Sequence, residues 1–402
     1  MTSTPATSAG PALAQPGRLS ARQGFLLLAS IVMSFLAAST APSPLYGLYR
    51  EAWGFSALVL TFVFAIYAFA LLGGLLMFGA LSDHVGRRPV LLTAMLLELA
   101  SLALFWGADS VAWLVAARLL QGLATGMATA TLSAALLDLD RERGALFNSV
   151  APMLGMAVGA LGASALVQFS PQPAHLVFEA LALLMALQTV AAVFLPDTTS
   201  RRAGAWASLR PRLAIPKAAR STFLLILPMN TAQWALGGFY TSLGPTLARQ
   251  VSGIAAPLVG GGLIATLVLS GAVGILWLRH HPARQVLAGS AAALVAGLAI
   301  TLWGVHAHAG VPLFVGSAIA GMGFGAGFNA SVRSLVPLAP AEQRGALMAS
   351  FFVLSYLAFS LPALAAGLAA GVFGLQPTAL GYGSVLMVLC AAAGWTLVPR
   401  RA

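Results

Sequence analysis

The sequence predicts an all-α integral membrane protein with twelve transmembrane helices in two pseudo-symmetric six-helix bundles. Three observations carry that prediction. Hydrophobic residues fill 59% of the 402 positions and charged residues only 8%, where a typical soluble chain is about 25% charged; this is too little charge to cover a water-facing surface. The apolar residues fall in runs as long as a bilayer demands, about 20 residues per helix. The basic residues between those runs sit in alternate loops, as they do when only one side of a membrane tolerates them.

The runs, taken in order, are 23–49, 57–81, 90–108, 110–137, 145–169, 174–195, 219–248, 255–278, 285–305, 311–338, 346–371 and 375–398. Residues 1–22 form a tail rich in Pro, Ala, Ser and Thr, expected to be disordered and cytoplasmic. The run that follows is too long for a cleaved signal peptide, and eleven more come after it.

With the N-terminus inside, the inner loops hold Arg18, Arg22, Arg87, Arg88, Arg141, Arg143, Arg201, Arg202, Arg210, Arg212, Lys217, Arg220, Arg279, Arg284, Arg344, Arg400 and Arg401, which is 17 of the 21 basic residues. Arg50 and Arg249 fall outside; Arg118 and Arg333 lie within spans. This asymmetry requires an even number of crossings, with both termini cytoplasmic. It also explains the net charge of +11 as a topology signal, so no nucleic-acid partner is expected. The single cysteine, Cys390, excludes an intramolecular disulfide and a multi-thiolate metal site. No cofactor is expected.

The basic segment 197–218 divides the chain into bundles over 23–196 and 219–398, and reads as a linker lying on anionic lipid. The halves resemble each other. Arg143-Gly144-Ala145-Leu146 recurs as Arg344-Gly345-Ala346-Leu347, and at the same spacing Gly122 and Gly126 map to Gly323 and Gly327. Repeats in equivalent spans argue for a duplicated unit, with a substrate path between the two copies.

The loop after the second span reads Gly79-Ala80-Leu81-Ser82-Asp83-His84-Val85-Gly86-Arg87-Arg88-Pro89-Val90-Leu91. It resembles the signature of the major facilitator superfamily, G-x-L-a-D-r-x-G-R-r/k-x-x-l, in the loop where that family carries it, with Ser82 and His84 departing from the pattern. The resemblance implies a transporter working by alternating access. It further implies that Asp83 latches the outward-facing state by approaching the backbone near Gly345 to Ser350. From the residues alone, Gly79 and Gly86 permit close approach and a tight turn. Arg87 and Arg88 face acids at the end of the fourth span, Asp138 or Asp140. The paired His280 and His281 of the second half read as solvated loop residues.

Arg118 opens an R-x-x-x-G element with Gly122 in the fourth span, similar to one the family links to proton coupling. A buried arginine costs about 2.5–3.5 kcal/mol on insertion scales and needs a partner. Glu98, at equal depth on the third span, is the candidate. Two readings stand for the pair: a proton acceptor whose protonation frees Arg118, or a structural role, as a static salt bridge or with Glu98 tucked against its span-three neighbours. For the substrate cavity the candidates are Ser39, Thr125, Asn230, Gln233, Trp234 and Asn329, polar or aromatic positions on facing spans. They predict an aromatic-edged pocket for a neutral or weakly charged small organic substrate.

The fifth span, Gly155-Met156-Ala157-Val158-Gly159-Ala160-Leu161-Gly162, is similar to the antiporter element G-x-x-x-G-P-x-x-G-G, with Ala160 in place of its proline. The reading is a monomeric antiporter in a bacterial inner membrane that exports a small organic solute against protons, its partners being substrate, protons and lipid. The other transport reading is a proton symporter or uniporter importing a metabolite. An enzyme is disfavoured because no His–Asp, Cys–His or HExxH grouping lies within the spans. A channel is disfavoured because no filter-like loop or charged ring is present.

Overall fold

The structure, a computed structural model, describes residues 19–199 and 202–397. Most of the expected tail, together with Arg18, Arg201, Arg400 and Arg401, lies outside the described residues. Each crossing is helical because no water in hydrocarbon can satisfy open backbone groups.

The first half runs α1 (Ala21–Thr40), α2 (Pro42–Trp53), α3 (Ala57–Phe78), the short α4 (Ser82–Val85), α5 (Arg87–Trp106), α6 (Val111–Leu139), α7 (Arg141–Phe169) and α8 (Pro173–Ala192). After a linker holding the short α9 (Ala205–Ser208) come α10 (Arg220–Ser242), α11 (Gly244–Ser252), α12 (Pro257–Leu278), α13 (Ala283–His306), α14 (Gly310–Leu335), α15 (Arg344–Phe373) and α16 (Leu375–Leu397). Counting α1 with α2 and α10 with α11 as single crossings gives twelve. Among the described residues, eleven helical stretches are long and apolar enough to span a membrane. The twelfth, α10, is long enough but carries Asn230, Gln233 and other polar residues.

The helices begin and end where the sequence supplies a reason. Ser20 and Gln23 form a reciprocal capping box, so α1 starts ahead of the expected residue 23. Pro42 and Pro44 lack backbone donors, which breaks the first crossing into α1 and α2. Pro245 does the same at the start of α11. Gly54 and Gly253 end these two crossings in the left-handed conformation, with φ of 67° and 68°.

Helices in lipid gain little from apolar burial and associate by close packing of small residues. In the first half Gly122 and Gly126 of α6 lie against the backbone of α3 at Tyr67 and Leu71. In the second half the residues in that position are Gly321 and Gly325 of α14, lying against Leu267 and Gly271 of α12. This corrects the repeat register by two residues. Gly323 and Gly327 instead face Ser290 of α13 and Gln233 of α10.

The halves meet along α3 with α15 and α7 with α12. At the end away from the termini they are pressed together. Thr61 packs on Gly367, Ser164 and Ala160 on Gly261, and the Arg249 guanidinium on Gly47. Nearer the termini, Asn329 Nδ2 donates to Ser149 Oγ at 3.0 Å across the divide.

Candidate functional site

The centre of the first half is a buried polar chain. Glu98, Arg118 and Gln121 are all 0% exposed. The expected direct contact between Glu98 and Arg118 is absent, because Gln121 stands between them. Arg118 Nη1 donates to Gln121 Oε1 at 2.6 Å, and Gln121 Nε2 donates to Glu98 Oε1 at 3.0 Å. A glutamine, with an acceptor and a donor at one tip, can serve a cation and an anion together. Arg118 also donates through Nε to Tyr46 OH at 2.7 Å and through Nη1 to the Ser39 carbonyl at 2.9 Å. Its guanidinium carbon lies 5.5 Å from the Tyr46 ring centre, 5.2 Å from Tyr67 and 5.6 Å from Phe105, within cation–π range. Among the described residues, Glu98 Oε2 and Arg118 Nη2 have no hydrogen-bond partner.

The six cavity candidates separate into three groups. Ser39 and Thr125 are buried in the first half: Ser39 offers its carbonyl to Arg118 while its hydroxyl turns back to Leu36, and Thr125 donates to the Gln121 carbonyl at 2.8 Å. Asn230 and Gln233 are also fully buried and tie helices together. Asn230 donates to Ser355 Oγ at 2.9 Å, and Gln233 to the carbonyls of Gly323 and Phe324 at 3.1 and 3.2 Å. Trp234 and Asn329 remain half-buried. Shared polarity and helical phase do not distinguish a side chain facing a cavity from one bonding a neighbouring helix. The Trp234 ring gathers Phe328, Phe352, Tyr356 and Phe359 at centroid distances of 4.8 to 6.4 Å.

The loop from Gly79 to Arg88 is held mainly within its own half. Gly86 has φ of 112°, a conformation open chiefly to glycine; an added Cβ there would also run into the Asp197 carboxylate. Asp197 accepts from the Arg87 backbone amide at 2.8 Å. The Arg87 side chain reaches Asp83 at 2.5 Å, Ser82 at 2.7 Å and Asp138 at 3.3 Å. Of the acids expected to meet these arginines, Asp138 does so, whereas Asp140 caps α7 and pairs with Arg143. Arg88 donates to the carbonyls of Val193 and Leu195.

The expected approach of Asp83 to Gly345–Ser350 is not made. Its side chain is 54% exposed and bound to Arg87 one turn away. The start of α15 is met instead by the linker, where Ala214 donates to the Ala346 carbonyl at 3.4 Å and accepts from Ser350 Oγ at 3.5 Å. The linker also holds the loop, through Arg202 N to the His84 carbonyl and the His84 ring to the Ala203 carbonyl, each at 3.0 Å. Sequence reasoning missed Tyr46, Gln121 and Asp197. Gln121 was findable, as it lies one helical turn from Arg118 on the face that Glu98 had to meet.

The family model for the Major Facilitator Superfamily matches residues 26–307. Among solved structures the chain is similar to the human organic anion transporter MFSD10 (TETRAN), at 20% identity and a TM-score of 0.67, covering 95% of this chain and 100% of that one. It is also similar to a mutant of the nucleoside transporter NupG, at 13% identity and a TM-score of 0.69, covering 94% and 100%. At these identities the likeness is one of fold. No curated protein matches the chain by sequence.

Proposed function

The chain belongs to the Major Facilitator Superfamily, and from that premise we propose that this membrane solute transporter exports a small organic molecule by alternating access, in exchange for protons that pass through Glu98. The observation that carries the reading is the unpartnered Oε2 of Glu98, buried inside the span and linked to Arg118 only through Gln121. An acid at this depth is costly unless it serves a pathway. A proton on Oε2 removes the negative charge that draws Gln121. Gln121 and the free Nη2 of Arg118 are then available to other partners, the Ser39 carbonyl on α1 being already in reach. Protonation thereby acts on α1, which packs on α7, and α7 meets α12 across the divide.

On this reading the Gly79–Arg88 loop is the cytoplasmic clasp, with Gly79, Asp83, Gly86, Arg87 and Arg88 as its working residues and both termini on that side of a bacterial inner membrane. One chain carries both halves, so a single copy suffices. The test uses protein in vesicles loaded with a pH-sensitive dye and challenged with neutral and weakly basic organic solutes. Solute entry is expected to drive proton exit in the unaltered protein. In Glu98→Gln the proton signal is expected to vanish while solute-for-solute exchange persists. Protons moving with the solute point to symport, and an unchanged proton signal in Glu98→Gln removes Glu98 from the path.

A further inference from the structure

The second half holds a feature that proton chemistry does not use. Trp234 on α10, Phe328 on α14 and Phe352 and Tyr356 on α15 form a continuous wall of rings, all half-buried although they lie well inside their helices. The wall faces the divide, since Tyr356 and Phe359 pack on Tyr67, Ala68 and Leu71 of α3, and Phe359 meets Phe64 at a ring distance of 5.1 Å. Tyr67 touches both regions, with the Arg118 guanidinium over its ring and the wall packed against it. We propose that this wall is the cargo face and that the cargo is a planar aromatic molecule without a fixed charge. The assignment rests on the transport reading above and adds the class of solute.

Its chemistry follows from what surrounds the rings. The second half has a single acid, Glu342, in a turn between α14 and α15 and outside the spans, so no carboxylate there offsets the desolvation of a cationic cargo, which would meet ring faces alone. Arg333 is bound to the His281 carbonyl at 2.7 Å. Arg118, the remaining cation inside a span, is 0% exposed with the Tyr67 ring between it and the wall, so a carboxylate seated on the rings meets no cation there. A flat ring joins such a cluster by the edge-to-face or offset geometry its members already use. The Tyr356 hydroxyl, which makes no hydrogen bond among the described residues, is available to a ring nitrogen or carbonyl.

Equilibrium binding of acridine to the protein in nanodiscs, at one pH and with empty nanodiscs subtracted, tests the assignment without any gradient. Saturable binding is expected, weakened about tenfold in Trp234→Ala, near the upper end of what one aromatic contact supplies. Phe352→Leu, a milder change, is expected to weaken it in the same direction. Acridine-9-carboxylate and methyl glucoside are expected not to displace acridine. Non-saturable binding, equal affinity in both variants, or displacement by either competitor overturns the assignment. Acridine flux under a pH gradient, compared between the unaltered protein and Glu98→Gln, reports on proton coupling separately. Equal flux there removes the proton reading and leaves the aromatic assignment standing.

Discussion

The two halves share a scaffold and differ in what it holds. Gly126 lies on the Leu71 carbonyl and Gly325 on the Gly271 carbonyl, and Gly74 and Gly274 return the contact at Leu123 and Met322. Placed by these seams, Arg118 corresponds to Ser317, and Ser101 against Ala117 matches Thr301 against Gly316, which sets Glu98 beside Leu298. The neighbouring tyrosine has its counterpart in role: Tyr46 OH accepts from Arg118 at 2.7 Å, and Tyr240 OH bonds Ser317 Oγ at 2.6 Å. One half thus keeps a buried acid and base bridged by Gln121. The other has a neutral hydroxyl pair in that place and presents aromatic rings toward the divide. Backbone seams carry the architecture, so side chains at matched positions are free to take different tasks.

The sharpest way to break this comparison is to neutralise each side. Glu98→Gln should reduce pH-driven solute accumulation in vesicles to the level of protein-free controls, while Ser317→Ala leaves it in place. Loss in both would mean that coupling is shared between the halves. The seams predict the next effect. Gly126→Val and Gly325→Val should each lower stability by about 1–3 kcal/mol or more, as overpacking does, read from thermal unfolding in detergent. A large loss at one seam alone would undo their equivalence. Gln121→Leu should cost about 1–3 kcal/mol, because buried groups of Glu98 and Arg118 lose their shared partner. The smallest change is expected at the loop: Asp197→Asn keeps an acceptor for the Arg87 amide, so stability should fall by about 1 kcal/mol, the difference between a charge-assisted and a neutral hydrogen bond.

Much of this was legible in the sequence. The twelve crossings follow from apolar run length, and the family follows from Gly79 to Leu91. Glu98 and Arg118 stood out as ionisable residues at equal depth in lipid. Their depth could be counted from helical rise, but their facing direction could not, and the bridge by Gln121 depends on direction. The repeat register slipped because glycine pairs recur every two residues along α14, at 321, 323, 325 and 327, and only packing on α12 distinguishes them. Asn230 and Gln233 shared a helical face with Trp234 and read as cavity residues, whereas the neighbouring helices α14 and α15 claim them. The contact expected of Asp83 belongs to an outward-facing state; with the halves closed at the end away from the termini, Asp83 binds Arg87.

The linker's two attachments, at His84 and at the first turn of α15, give the molecule a leash. Ten residues lie between Ala203 and Ala214, and the eleven steps that join them reach roughly 36–40 Å when fully extended. The turn of helix over Ala205–Ser208 stores part of that reach as slack. While both knots hold, the stroke at this face cannot exceed the length of the cord, whatever the cargo. On the alternating-access reading proposed above, lengthening or cutting it changes how far the mouth swings and leaves the buried chain of Glu98, Gln121 and Arg118 untouched.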